Sequence, residues 1–132
     1  MTERTASCRC GQLRAMVSGE PVRISVCHCL ACQKRTGSVF SAQARWPAEC
    51  VEIEGESHQW TRTADSGQRT VYNFCPKCGS TVHYTGGNFP DVIAIPLGAF
   101  DDPYISRPDY SVWEARKHDW VEILGDDVLH RD

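Results

Sequence analysis

The sequence predicts an all-β domain of short strands. Three observations carry this: runs of β-branched and aromatic residues only a few residues long, turn signals between them, and scarce helical periodicity. In chain order the expected strands are Arg14 to Ser18, Phe40 to Trp46, Val51 to Glu54, Gln59 to Thr63, Arg69 to Phe74, Thr81 to Thr85, Val92 to Pro96 and Trp120 to Leu124. The separating turns are Gly19-Glu20-Pro21, Gly55-Glu56, Asp65-Ser66-Gly67, Gly86-Gly87-Asn88, Asp101-Asp102-Pro103 and Gly125-Asp126-Asp127. Phe40 to Trp46 alternates with period two, as a half-buried strand does. Gln59 to Phe74 reads as a hairpin around Asp65-Ser66-Gly67. Leu30 to Arg35 is long enough for a short helix stopped by Thr36-Gly37, with Gly37 as its C-cap. Asp109 to Lys117 is compatible with either type of element.

The chain has 132 residues and no internal repeat or linker, so a single domain over residues 1–132 is expected. Its formal charge is −3; ionising seven cysteines and adding two Zn²⁺ would take this to −6. An acidic protein of this kind lacks the basic face that nucleic-acid phosphates require. Met1 to Cys8 contains no apolar signal segment, and no apolar run approaches the ~20 residues of a membrane span. The expectation is a cytoplasmic protein with reduced cysteines and no membrane partner.

Seven of the eight cysteines fall into three clusters: Cys8 and Cys10, then Cys27, Cys29 and Cys32, then Cys75 and Cys78. Such spacings let thiolates converge on one ion. Disulfide pairing is the competing reading, and the absence of an export signal counts against it. A redox C-x-x-C is the rival at Cys75 and Cys78, but that motif belongs at a helix start in a βαβ setting that this sequence does not show. The C-x-x-C followed by Gly79 instead has the form of a zinc knuckle, which needs a second pair of ligands. Cys8 and Cys10 are the natural partners, because residues i and i+2 of a strand share a face. Four thiolates close a structural site.

Cys27, Cys29 and Cys32 then remain, able to hold a metal with one position open. His28 is a candidate fourth ligand. In an extended segment, however, it points away from Cys27 and Cys29, which suits an outer role. Lys34 and Arg35 follow Cys32 within one helical turn and suit an anionic substrate, or else form a solvated basic face. Cys50 stands alone and is expected to be a small apolar residue with an ordinary thiol. His58, His83, His118 and His130 follow no ligand spacing.

Together, Cys8-Arg9-Cys10-Gly11, the run from Cys27-His28-Cys29 through Cys32-Gln33-Lys34-Arg35-Thr36-Gly37-Ser38, and Phe74-Cys75-Pro76-Lys77-Cys78-Gly79-Ser80 resemble the signature of the glutathione-dependent formaldehyde-activating enzyme (GFA) family. That family includes the centromere protein V-type domains, and the similarity runs from Ser7 to about Ile123. The resemblance implies a β-tent fold of antiparallel sheets. It implies a structural zinc on Cys8, Cys10, Cys75 and Cys78, and a second, catalytic or exchangeable zinc on Cys27, Cys29 and Cys32. It also implies a carbon–sulfur lyase type of activity, the addition of glutathione to formaldehyde to give S-(hydroxymethyl)glutathione. Lys34, Arg35 and Ser38 are then the candidate contacts for the carboxylates of glutathione. The rival expectations are a non-catalytic zinc domain that binds a partner or carries a thiol, and an enzyme resembling methionine sulfoxide reductase. The last needs a free nucleophilic cysteine, for which Cys50 is the unclustered candidate.

Overall fold

The computed structural model describes residues 2–132. Its elements are β1 (Glu3–Ser7), β2 (Arg14–Ser18), β3 (Arg23–Cys27), α1 (Leu30–Thr36), β4 (Ser41–Pro47), β5 (Val51–Glu54), β6 (His58–Thr63), β7 (Arg69–Phe74), β8 (Thr81–Gly86), β9 (Phe89–Pro96), β10 (Tyr110–Val112) and β11 (Leu129–His130). They form a three-stranded sheet in the order β1-β2-β5 and an eight-stranded sheet in the order β11-β10-β3-β4-β9-β8-β7-β6. The pairs are antiparallel except at one end, where β10 runs parallel to both β3 and β11. The all-β expectation therefore holds.

One core cluster draws on both sheets. Ala6, Leu13, Ala15 and Val17 come from the first two strands and their turn; Ile24, Ala44, Trp46, Val82 and Ile95 come from the large sheet. Trp46 is fully buried, packs against Phe100 with ring centroids 5.5 Å apart, and donates its indole N–H to the Gly19 carbonyl. Burying such a side chain stabilises the fold by about 1.5–3 kcal/mol on transfer grounds. Cys8 and Cys75 belong to this same cluster, so the sulfur staple is continuous with the apolar core.

The expected hairpin is β6 and β7, in register from His58↔Phe74 to Thr63↔Arg69. Helix α1 ends as foreseen: Gly37 sits at φ 68° and donates its N–H to the Gln33 carbonyl. Trp120 to Leu124, expected as a strand, is irregular. Of its residues only Val121 is buried, and Trp120 and Leu124 stay exposed, so the run offers no apolar face to seat against a sheet. Asp109 to Lys117 resolves into β10 and a single 3-10 turn, Glu114–Arg116. Strands β1, β3, β10 and β11 were not foreseen. β3 is decisive, because it carries Cys27 at its last position.

Candidate metal centres and the arginine-lined cavity

The first sulfur cluster forms where the β1–β2 turn meets the loop after β7. Cys8 follows β1, and Gly11 at φ 87° turns the chain back so that Cys8 and Cys10 face one point. Cys75 follows β7, past a register shift at Asn73/Phe74. The four Sγ atoms of Cys8, Cys10, Cys75 and Cys78 lie within 4.8 Å of one another. Two of the separations are 3.6 Å (Cys8 to Cys10) and 3.7 Å (Cys10 to Cys75). A tetrahedral zinc with Zn–S of about 2.3 Å sets its sulfurs about 3.8 Å apart, whereas a disulfide would need about 2.05 Å. The donor set therefore fits a metal ion. Donors to the sulfurs are in place as well: Leu13 N–H to Cys8 at 3.3 Å, Lys77 N–H to Cys75 at 3.4 Å and the Gln12 carboxamide to Cys75 at 3.0 Å. Hydrogen bonding by Ser80, first through its hydroxyl and then through its backbone, brings the Cys78 thiol down to about 5.

The second cluster spans the junction of β3 and α1. Cys27 ends β3, Cys29 is the N-cap of α1, and Cys32 lies in its first turn. Their three Sγ atoms also converge within 4.8 Å. Cys29 Sγ accepts the Cys32 N–H at 3.4 Å, so the residue that caps the helix is also a candidate ligand. Hydrogen bonds from Cys27 and then Cys32 draw the Cys29 thiol down to about 2, while the Cys27 thiol is pushed up by donating to Cys29 and Cys32. Three sulfurs so close together oppose one another's ionisation, and a divalent cation between them would relieve that.

His28 does not join them. It is fully buried, with Nε2 2.9 Å from the Ser111 hydroxyl. That hydroxyl donates to Glu114 Oε2 at 2.6 Å, so His28 carries its proton on Nε2. The strand alternation foreseen between His28 and its flanking cysteines is the cause: β10 runs beside β3 and receives the histidine on the far side from the sulfurs.

The triplet opens into a cavity of about 690 Å³ on the face of the large sheet opposite the core. Alternate residues of its strands line it: Arg23, Ser25 and Cys27 of β3, Gln43 and Arg45 of β4, Val92 and Ala94 of β9. Tyr72, Tyr84 and Arg35 add an aromatic and cationic wall; the Arg35 guanidinium lies 5.0 Å from each tyrosine ring. Behind this wall is a closed polar network. Gln43 accepts from the Ser41 and Tyr84 hydroxyls at 2.9 Å and donates to Ser25 at 2.9 Å, and Arg45 donates to Ser25 at 3.1 Å. Burial pushes the Tyr84 hydroxyl above its ordinary range, which keeps it a neutral donor.

Of the residues singled out for substrate, Arg35 lines the cavity, whereas Lys34 and Ser38 lie outside its lining. Cys50 closes a 3-10 turn after β4, half-buried and apart from both sulfur groups. Arg23, Arg45, Arg62 and Arg116 also line the cavity and were missed. Arg45 left a signal. In the run Phe40 to Trp46 it shares the polar face with Ser41 and Gln43, a face that alternation alone assigns to solvent.

The family model for the glutathione-dependent formaldehyde-activating enzyme matches residues 3–116. A crystal structure of a Rhodobacter sphaeroides protein has a similar fold, with a TM-score of 0.57 and 16% identity over 75% of this chain and 91% of that one. No curated protein matches the chain.

Proposed function

The chain belongs to the glutathione-dependent formaldehyde-activating enzyme family, and from that premise we propose that it is a zinc-dependent enzyme of carbon–sulfur lyase type acting on a small thiol and an aldehyde. One observation carries this reading: three convergent thiols open into a large cationic cavity, while the other four converge on one another at the edge of the core, two of them buried in it. Cys8, Cys10, Cys75 and Cys78 would hold a structural zinc, and Cys27, Cys29 and Cys32 a working zinc.

A zinc on the triplet would supply an exchangeable position at which a thiol is held as its thiolate near neutral pH. Three thiolates leave such a centre anionic, so it suits the capture of a soft sulfur better than the ionisation of water. The protein's own groups do the rest. The arginines that line the cavity would hold the anionic part of the thiol. Tyr84 and Gln43 hold the floor rigid. In the net reaction the thiol sulfur bonds to the carbonyl carbon, the carbonyl π pair goes to oxygen, and the thiol hydrogen ends on that oxygen. The reverse regenerates thiol and aldehyde. Formaldehyde is the proposed aldehyde, and glutathione, the thiol in the family's name, is the first thiol to test.

We place this activity in the cytoplasm, where the cysteines would stay reduced. Among the described residues no helix is long and apolar enough to cross a membrane. The small molecules are the proposed partners, with no role for nucleic acid or a membrane. A non-catalytic thiol carrier remains the second reading, since the same cavity would bind an adduct without turning it over.

The test uses protein with cobalt in place of zinc. Glutathione should shift the cobalt–sulfur absorption and its S-methyl analogue should not. Exchange between glutathione and its formaldehyde adduct, followed by NMR, should exceed the spontaneous rate. Equal responses to both ligands would remove sulfur capture. Binding without faster exchange would establish the carrier.

A further inference from the structure

Arg23 and Arg45 are direct partners in the antiparallel register of β3 and β4. Both point into the cavity. Like charges placed opposite each other on neighbouring strands destabilise a sheet. Here they are also drawn together: the Phe89 ring lies 4.0 Å from the Arg45 guanidinium carbon and 5.0 Å from that of Arg23, which in turn sits 3.8 Å from the Tyr110 ring. Among the described residues no carboxylate pairs with either of them: the ion pairs are Arg4 with Glu20 and His130 with Glu114, and neither involves a cavity arginine. The Nε atoms of Arg23 and Arg35 are buried with no hydrogen-bond partner. Five arginines line the cavity against one carboxylate, Asp65. Burial, and then the neighbouring Arg23, lowers the pKa of Arg45, while Tyr84 and the sulfurs of Cys27 and Cys32 oppose the shift.

We propose that Arg23 and Arg45 form a phosphate-binding subsite, and that the thiol handled at Cys27, Cys29 and Cys32 carries a phosphate at its far end. The substrate half of this statement rests on the function proposed above; the anion site does not. A phosphate ester brings up to two negative charges and three acceptor oxygens to one point, enough to bridge both guanidiniums. A single carboxylate would leave one of the two cations unanswered. Glutathione also carries an ammonium group, for which the cavity wall offers Asp65 alone. Ala94, the register partner of Arg45 on its other side, is small and leaves room above the pair.

The experiment compares pantetheine with 4′-phosphopantetheine, the same thiol with and without a phosphate, by calorimetry on the zinc-loaded protein. The phosphorylated thiol should bind on the order of tenfold tighter, the ratio equivalent to about 1.4 kcal/mol. Arg23→Gln should remove that preference and Arg23→Lys should restore part of it. Arg14→Gln, the same charge change on an exposed strand position outside the cavity, should keep it. In a second arm without any thiol, pyrophosphate should raise the melting temperature of the wild type and not of Arg23→Gln. Arg45→Gln repeats both arms if Arg23→Gln does not fold. Equal binding of the two thiols, or a preference that survives in Arg23→Gln and Arg45→Gln, overturns the subsite. Pyrophosphate protection that depends on Arg23, with neither thiol binding, upholds the anion site and removes the phosphorylated thiol as its substrate.

Discussion

The carboxamide nitrogen of Gln12 lies 3.0 Å from the sulfur of Cys75, across 63 residues of sequence. The same nitrogen donates to the Glu56 carbonyl at 2.8 Å, and the Gln12 oxygen accepts the Glu56 N–H at 3.0 Å. One side chain thus ties the β1–β2 turn, the β5–β6 turn and the sulfur cluster together. The turn at Gly55 is pressed so close that a Cβ there would meet the Gln12 carbonyl at 2.1 Å, at a φ of 100°.

Gln12→Ala should therefore weaken metal retention at Cys8, Cys10, Cys75 and Cys78. Loss of an outer hydrogen bond to a ligand typically costs about 10–100-fold in affinity. Competition with a chromophoric chelator measures it. Zinc release indistinguishable from wild type would show that the Gln12 contact does nothing for the metal.

Cys75→Ser should destabilise the protein far more than Cys27→Ser. Cys75 is fully buried in the main core and would belong to a closed site, whose binding energy is folding energy. Cys27 sits at the wall of an open cavity. Thermal melts with zinc counted by mass spectrometry decide. A reversed order of melting temperatures would exchange the roles of the two clusters.

Ser111→Ala should cost about 1–3 kcal/mol, because it leaves the buried His28 Nε2 and a Glu114 oxygen without their shared hydroxyl. The zinc count should not change, since His28 stands apart from the sulfurs. An unchanged denaturation midpoint would mean that His28 finds another partner. Loss of metal would mean that it contributes to the triplet after all.

His83 sets a pH dependence. Its Nε2 is buried without a partner, and burial holds its pKa below the ordinary 6.5. The unfolded chain takes up a proton near 6.5, and the folded protein only at lower pH. The stability linked to neutral His83 is thus fully present above 6.5 and is lost as pH falls from there towards the folded value. Melting temperatures between about pH 7.5 and about pH 5.5 should fall less in His83→Leu than in wild type. Parallel curves for the two proteins would exclude His83 as the source.

The sulfur chemistry was legible because it is local. The spacings C-x-C, C-x-C-x-x-C and C-x-x-C-Gly bring thiols together through turns a few residues long, and Gly37 stops α1 by a conformational preference of its own. Short runs bounded by clear turn signals, such as Arg14–Ser18, Val51–Glu54 and Arg69–Phe74, are strands at the bounds read from the sequence. Trp120 to Leu124 has strand composition but pairs with neither sheet, and of its residues Val121 alone is buried; pairing is a property of the whole sheet.

By itself, then, the sequence determined the all-β class, the family and the sets of cysteines able to meet. Only the tertiary structure decided what the strand faces do. Alternation along β4 separates Ser41, Gln43 and Arg45 from Ala44 and Trp46, but it cannot say which face is covered. Both are: Gln43 is 3% exposed, and Trp46 is fully buried. Register between strands 22 residues apart sets Arg23 opposite Arg45, and a parallel strand from the far end of the chain gives His28 its partner in Ser111. These are long-range pairings, fixed by how both faces of the large sheet are packed at once, and no window of sequence contains them.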